Sequence, residues 1–399
     1  MTEKTNTPEL RFPEFREGWK EFILNDVSIK KSKKNKNNLY NETFTNSAEY
    51  GIVSQKEYFD KEISNKKNLN NYYIVEPNDF VYNPRISNLA PVGPINRNKL
   101  NRTGVMSPLY TVFSTKLSIK SFLEYYFKTS KWHRFMKLNG DSGARSDRFT
   151  IKQSLFIKMP IFLPSNQEQE KIGDFFSKLD QQIELEEKKL ELLEQQKRGY
   201  MQKLFSQELR FKTKDNVYYS EWQLHKLGEI FKYSQGQQIS VDKQFSVKSN
   251  EMKRFIRIVD ITENPEPRFV LYESDTGLVN KEDLFMIRYG RPGIVSIGFE
   301  GIIANNLFKL IPKMKISTVY FYYLLSYNYY RINLLTNQST MPALNFKSLD
   351  LLKFKIPSYK EQNKIGNFFT KFDELIEKQN KKIDGLKERK KGLLQKMFV

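Results

Sequence analysis

The side chains of this chain best suited to selective chemistry are planar hydrogen-bonding groups gathered in polar loops. Asn83, Arg85 and Asn88 share one loop, Arg145 and Arg148 another, and Gln237 and Gln238 follow Gly236. Arg288 and Arg291, Asn305 and Asn306, and Gln338 with Ser339 complete the set. A guanidinium pairs bidentately with guanine and a carboxamide with adenine, so these groups together have the chemistry to read base edges in a DNA groove. Taken singly, each has an equal claim to ordinary duty in a surface loop. A second group, Lys30, Lys31, Lys33, Lys34 and Lys36, is cationic but not planar. Lys33 and Lys34 at its centre suit phosphate contacts, which add affinity and salt dependence without sequence choice, or else a solvated loop.

Groups that make and break bonds are scarce. The 399 residues include no cysteine and only two histidines, His133 and His225. Disulfides, thiolate metal sites and a cysteine nucleophile are thereby excluded, and a reducing compartment is expected. No glycine is followed by lysine and no Gly-x-Gly occurs, so P-loop and Rossmann phosphate-binding motifs are missing. Asn83-Pro84-Arg85 and Asn264-Pro265-Glu266 do not match the Asn-Pro-Pro-aromatic string of adenine methyltransferases. Glu251-x-Lys253 lacks an upstream strand-borne Asp for a nuclease, and His133, between Trp132 and Arg134, reads as a packing or surface residue. The expectation is a non-catalytic chain with no metal or cofactor of its own. Its 66 basic residues against 46 acidic ones, a net +20, point to a polyanionic partner. The polar N-terminus shows no signal peptide, and the apolar run from Val319 to Leu325 is far short of the ~18–20 residues a membrane span needs. A cytoplasmic protein without membrane association is expected.

What must position the loops is a repeat. Pro164 to Phe205 recurs without a gap 193 residues later as Pro357 to Phe398, with half of the paired positions identical. Trp19, Leu24 and Val27 have the spacing of Trp222, Leu227 and Ile230, and Glu9-Leu10-Arg11-Phe12 returns as Glu208-Leu209-Arg210-Phe211. Each long copy opens with a proline and a capping box, Ser165 with Glu168 and Ser358 with Glu361. A heptad seam follows (Ile172, Phe176, Leu179 and Ile183; Ile365, Phe369, Phe372 and Ile376), broken by polar residues at Glu186/Gln379 and Lys197/Lys390. The spacing predicts two helices of about 40 residues, ~60 Å each, packed antiparallel as a coiled coil about a pseudo-twofold axis. Segments 165–205 and 358–399 carry net charges of −2 and +5, so most of the positive charge lies outside them.

Each block ahead of a helix mixes aromatic and β-branched runs with an Asp-containing turn (Asp79, Asp283), a Gly-led strand (Gly104-Val105-Met106, Gly301-Ile302-Ile303) and a helix (121–137, 318–335). The fold class is therefore α+β: similar globular domains at 1–163 and 207–356, separated by long antiparallel helices at 164–206 and 357–399.

The chain resembles the specificity subunits of Type I restriction–modification enzymes. The resemblance rests on Leu163-Pro164-Ser165-x-x-Glu168-Gln169-x-x-Ile172 and Ile356-Pro357-Ser358-x-x-Glu361-Gln362-x-x-Ile365, on the two Trp-x4-Leu starts and on the two Asp turns. It implies two target-recognition domains, each reading half of a bipartite site in double-stranded DNA, with the helices as ruler. It also implies two modification (methyltransferase) subunits docked on the helices, for which Phe175, Phe176, Phe368 and Phe369 are the candidate contacts. S-adenosylmethionine would belong to those subunits, ATP and Mg to the restriction subunits, and no cofactor to this chain. A ~60 Å separator corresponds to one to two turns of B-DNA at ~34–36 Å each. A stand-alone DNA-binding regulator with two reading heads and a purely structural coiled-coil adaptor are the competing readings.

Overall fold

The computed structural model describes residues 6–59, 66–116, 119–142, 147–263, 265–271, 274–336 and 342–399. Arg145, Gln338 and Ser339 lie outside them. The chain divides into two units, Met1–Glu187 with Lys382–Val399, and Lys188–Lys381. These boundaries differ from those expected at 163/164, 206/207 and 356/357. The helices are not bodies of their own, because each unit buries part of both.

The Trp-x4-Leu starts set the first elements. In the first unit, Lys20–Ile23 is a strand, Leu24–Val27 one helical turn and Ser28–Lys31 a strand. Trp19, Leu24 and Val27 are buried in the main core of that unit. Gln223–Lys226, Leu227–Ile230 and Phe231–Gln235 repeat the arrangement in the second, over buried Trp222, Leu227 and Ile230. The opening strand pairs antiparallel with the strand that precedes the long helix: Lys20–Ile23 with Pro160–Leu163, and Gln223–Lys226 with Lys353–Ile356.

Behind this closure each unit holds a four-stranded antiparallel sheet of one topology. The order is Ser28–Lys31, Thr111–Thr115, Phe80–Tyr82, Ile95–Arg97 in the first, and Phe231–Gln235, Leu307–Pro312, Leu284–Ile287, Val295–Ser296 in the second. The Asp turns feed the third strand of each sheet. Asp79 accepts from the Glu76 amide and Asp283 from the Asn280 amide, both at 2.8 Å.

A second layer carries the Gly-led strands. In the second unit it runs Arg268–Leu271, Met252–Ile256, Gly301–Ile303, Leu278–Val279, with a parallel pairing at its centre. In the first, the counterparts are two antiparallel pairs, Phe44–Ser47 with Gly51–Ser54 and Tyr73–Val75 with Gly104–Met106, joined by one parallel bridge between Thr43 and Val105. The single helices expected over 121–137 and 318–335 are each broken in two, at Lys120–Tyr126 and His133–Asn139, and at Thr318–Tyr327 and Tyr329–Asn333. Side chains compete with the helix there: Thr129 donates to the Tyr126 carbonyl at 2.7 Å and Asn328 to the Leu324 carbonyl at 2.8 Å.

The long helices run Asn166–Phe205 and Tyr359–Met397. Only the hydroxyl half of each capping box forms, with Ser165 accepting from the Glu168 amide at 3.3 Å and Ser358 from Glu361 at 3.5 Å. The fully buried glutamates bind arginines instead. Glu168 takes Arg11 through two 2.7 Å bonds, and Glu361 takes Arg210 at 3.0 Å and the Trp222 indole at 3.2 Å. Gly173 and Gly366 admit the helix of the globular block, since a Cβ on Gly173 would lie 2.7 Å from the Ser121 Cβ and one on Gly366 3.1 Å from the Tyr320 nitrogen.

Within each unit the helix segments pair antiparallel. In the first, Asp180 meets Lys390, Glu186 meets Lys382 at 2.5 Å, and Phe176 packs on Phe398 with centroids 6.0 Å apart. In the second, Lys197 meets Asp373 at 2.5 Å, Tyr200 packs on Phe368 at 5.3 Å and Phe205 on Phe369 at 5.9 Å. The seam-breaking lysines thus have carboxylates waiting on the opposite helix. Lys128, Lys390 and the Tyr125 hydroxyl overcome the effect of burial and hold Asp180 below the ordinary carboxylate range.

Candidate nucleic-acid interface

In the first unit, two loops are stitched together by backbone hydrogen bonds. The Ile86 amide donates to the Asp147 carbonyl at 3.1 Å and the Phe149 amide to the Pro84 carbonyl at 2.7 Å. Arg85 and Arg148 form a bridge between the loops, and both side chains are exposed. They line a cleft of about 590 Å³ with Asn83, Tyr58, Leu89, Leu109 and Tyr110. Leu89 and Leu109 are 70% and 59% exposed. Exposed apolar groups beside guanidinium groups are what a base edge and a thymine methyl require.

Asn83 proves to be a shaping residue. Its carboxamide donates to the Asn46 carbonyl at 2.8 Å and accepts from the Arg85 amide at 3.0 Å. Buried Asn46 anchors the group, donating to Val81 at 2.7 Å and accepting from Asn96 at 2.7 Å. Asn88 is exposed outside the cleft lining.

The second unit has a cleft of about 500 Å³ after the Gly-led strand and after the strand Met252–Ile256, and residues 288–293, which follow its third sheet strand as the Arg85 loop does in the first unit, do not line it. Gln238, Asn305 and Asn306 line it, joined by Gln244, Arg257 and Arg268. Sequence reasoning aimed at polar loops missed Arg268, which lies on a strand, and Arg257, at the end of one; it also passed over Gln244, which lies in a polar loop. Asp260 fixes Arg257 through a 2.8 Å bond from Nε. Gln237 stays out of the lining, and its backbone amide is tied to the Ile303 carbonyl at 2.8 Å.

Arg288 departs from its expected role. Its guanidinium lies 4.2 Å from the Phe346 ring centre and donates to Gln235 at 2.7 Å, so it braces the loop from within. Arg291 is exposed between Gly290 and Gly293, whose φ values of 86° and 92° make a turn that favours glycine at both places.

Of the lysine run, Lys31 binds Glu76 and approaches Asp79 at 3.6 Å, and the pairing with Lys31 lowers the Glu76 pKa. Lys33 and Lys34 are exposed. His133 packs edge-on against Trp132 at 4.6 Å, and burial with nearby Lys137 pushes its pKa down.

The expected docking phenylalanines need correction. Phe176 and Phe369 are fully buried in the unit cores and present nothing to a partner, while Phe175 and Phe368 are half-buried against the same cores. Leu185, Leu192 and Leu375 are the exposed leucines of the long helices, and Tyr200 and Tyr359 are exposed there too. Among the described residues no helix is long and apolar enough to cross a membrane, and no group of three or more His, Cys, Asp or Glu side chains could hold a metal ion.

The profile of the family described as Type I restriction modification DNA specificity domain matches residues 16–195 and 219–388. The chain is 26% identical over 183 residues to the Type I restriction enzyme MjaVIII specificity subunit of Methanocaldococcus jannaschii, which covers 45% of this chain and 42% of that protein. It is also 26% identical over 295 residues to the putative MjaX specificity subunit of the same organism, covering 70% and 67%. The S subunit of a Type I restriction–modification system from M. genitalium has a similar fold, with a TM-score of 0.57 and 16% identity over 98% of this chain and 99% of the other. A chain solved for the assembly and conformational transition of a type I R-M system gives 0.56 and 14% over 96% and 98%. Two matches to one family model, in the order that the internal repeat dictates, establish that this chain belongs to the Type I restriction–modification DNA specificity family.

Proposed function

We propose that this chain is the sequence-reading subunit of a Type I restriction–modification complex, with each unit reading one half of a bipartite site in double-stranded DNA. The observation that carries this reading is the pair of clefts. One fold, built twice, offers guanidinium and apolar groups in one cleft and carboxamides with arginines in the other. A duplicated scaffold with unlike recognition groups suits two unlike half-sites better than one symmetric site. The family assignment favours this over a stand-alone regulator or a structural adaptor.

The chain supplies the address and no chemistry. Two modification subunits would dock on the long helices, through the exposed leucines rather than Phe176 and Phe369, and would carry S-adenosylmethionine. Restriction subunits would add ATP and Mg, and the assembly would act in the cytoplasm. The long helices would set the distance between half-sites.

Co-expression with a modification (methyltransferase) subunit, followed by mapping of methylated DNA, tests the reading. Expected are two short half-sites with a fixed number of unspecified base pairs between them. Removing seven residues from both helices, so that the Asp180–Lys390 and Lys197–Asp373 pairs keep their register, should change that number and neither half-site. A single contiguous target, or an unchanged spacing, would defeat the proposal.

A further inference from the structure

Three aromatic rings stand in solvent at the cleft of the first unit. Tyr50, Tyr58 and Phe59 are 63%, 43% and 39% exposed. Tyr58 packs edge-on against both others, its ring centre 5.9 Å from that of Tyr50 and 4.6 Å from that of Phe59. Tyr58 and Phe59 line the cleft alongside Arg85 and Arg148. The rings rest on anchored backbone. Ser47 Oγ accepts from the Glu49 and Tyr50 amides at 3.2 and 3.3 Å. The short helix Gln55–Phe59 is tied at its start, where the Gln55 amide donates to the Thr43 carbonyl at 2.9 Å. None of the three rings joins the hydrophobic clusters of the unit. Among the described residues that line the second cleft, the one aromatic side chain is Phe255, and it is buried.

We infer that Tyr58 and Phe59 form a platform for a base that has left the duplex stack, at or beside the half-site of the first unit. The inference rests on the reading of this chain as a DNA reader and goes beyond it, because reading base edges needs no such rings. In an intact duplex each base face is covered by its neighbours, and only edges reach the grooves. An exposed aromatic face finds its match when a base step opens. Stacking on an aromatic side chain stabilises an unstacked base and suits any of the four, since each has a π-face. Rings that already face water offset part of the cost of opening the step. Arg85 and Arg148, exposed in the same cleft, supply positive charge for the phosphates on either side. Enzymes that alter a base must take it out of the stack, so an opened step near the half-site is what a modification subunit requires.

Equilibrium binding of the full chain, assembled with its modification subunit, to duplexes carrying the mapped target tests the inference. Single mismatches are placed one at a time along the first half-site and its flanks, because a mismatched base is easier to unstack. One position is expected at which the mismatch tightens binding about tenfold or more. Tyr58→Leu with Phe59→Leu keeps the apolar surface and removes the stacking faces. It should bind the matched target about tenfold more weakly and lose the gain from the mismatch. Tyr58→Trp should keep both. If the double variant unfolds early, Tyr58→Leu alone takes its place, with the same outcomes. No mismatch that tightens binding, a gain that survives in the leucine variant, or matched binding equal to the parent's would overturn the platform and leave bipartite reading intact. A leucine variant that binds DNA as the parent does but loses its modification subunit would overturn it in favour of a protein contact. A parent without any sequence preference would sink the reading itself, and the platform with it.

Discussion

Replacing Glu361 with alanine removes the one carboxylate that serves both Arg210 and Trp222. Glu361 is fully buried and the Arg210 side chain is 18% exposed, so the guanidinium would be left largely desolvated without its counterion. Breaking a buried ion pair from one side costs about 3–5 kcal/mol. Arg210 keeps its bonds to the Tyr219 and Ser220 carbonyls, at 3.1 and 2.7 Å, which pulls the figure toward the lower end. The Trp222 indole N–H, stranded by the same change, adds about 1–3 kcal/mol that does not sum fully with the first loss. The net expectation is about 4 kcal/mol, or roughly 10 °C for a unit of this size. Thermal unfolding followed by calorimetry measures it directly. Glu168→Ala should cost less, because Glu168 holds Arg11 alone and no indole. Arg210→Met with Glu361→Met should recover much of the loss, since an apolar pair has no charge to strand. A Glu361→Ala protein within about 1 kcal/mol of the parent, or a double variant as damaged as the sum of its parts, would refute the argument.

Arg85→Ala and Arg148→Ala should each cost about 1–3 kcal/mol of binding and relax the choice of base in one half-site only, as read by selection from random DNA. Lys33→Ala with Lys34→Ala should weaken binding evenly across sequences and lower the slope of log affinity against log salt by about one per lysine. Gly173→Ala should destabilise by about 1–3 kcal/mol and Gly366→Ala by less, because the first Cβ meets Ser121 at 2.7 Å and the second meets Tyr320 at 3.1 Å; denaturant unfolding measures both. Asp180 titrates below the ordinary carboxylate range. The stability it lends is complete above the unfolded value of about 4 and is lost as pH falls through its lowered folded value, so Asp180→Asn should flatten the acid limb of the stability profile.

The repeat made the framework legible before any coordinates. A gapless copy with proline starts, heptad spacing and matched polar breaks specifies long paired helices, because each feature is local in sequence. Their partition between units was not legible: which half of a helix packs on which block depends on contacts between residues far apart in sequence, such as Phe176 with Phe398. The same limit explains Arg288 and Asn83. Both look like readers in a polar loop, yet Phe346 and Asn46, distant in sequence, claim them. Arg268 escaped notice for the opposite reason, since a residue leading the apolar strand run Phe269-Val270-Leu271 resembles scaffold until the cleft is seen.

The neighbouring entry and exit strands of each block have a consequence for inheritance. Lys20–Ile23 lies against Pro160–Leu163, and Gln223–Lys226 against Lys353–Ile356, so the chain comes in and goes out of a block at one doorway. Everything between those strands can be traded for a foreign cassette as long as the cassette restores the doorway and the small residues that face it. New addresses can therefore be acquired whole by recombination, without waiting for loops to drift one base contact at a time.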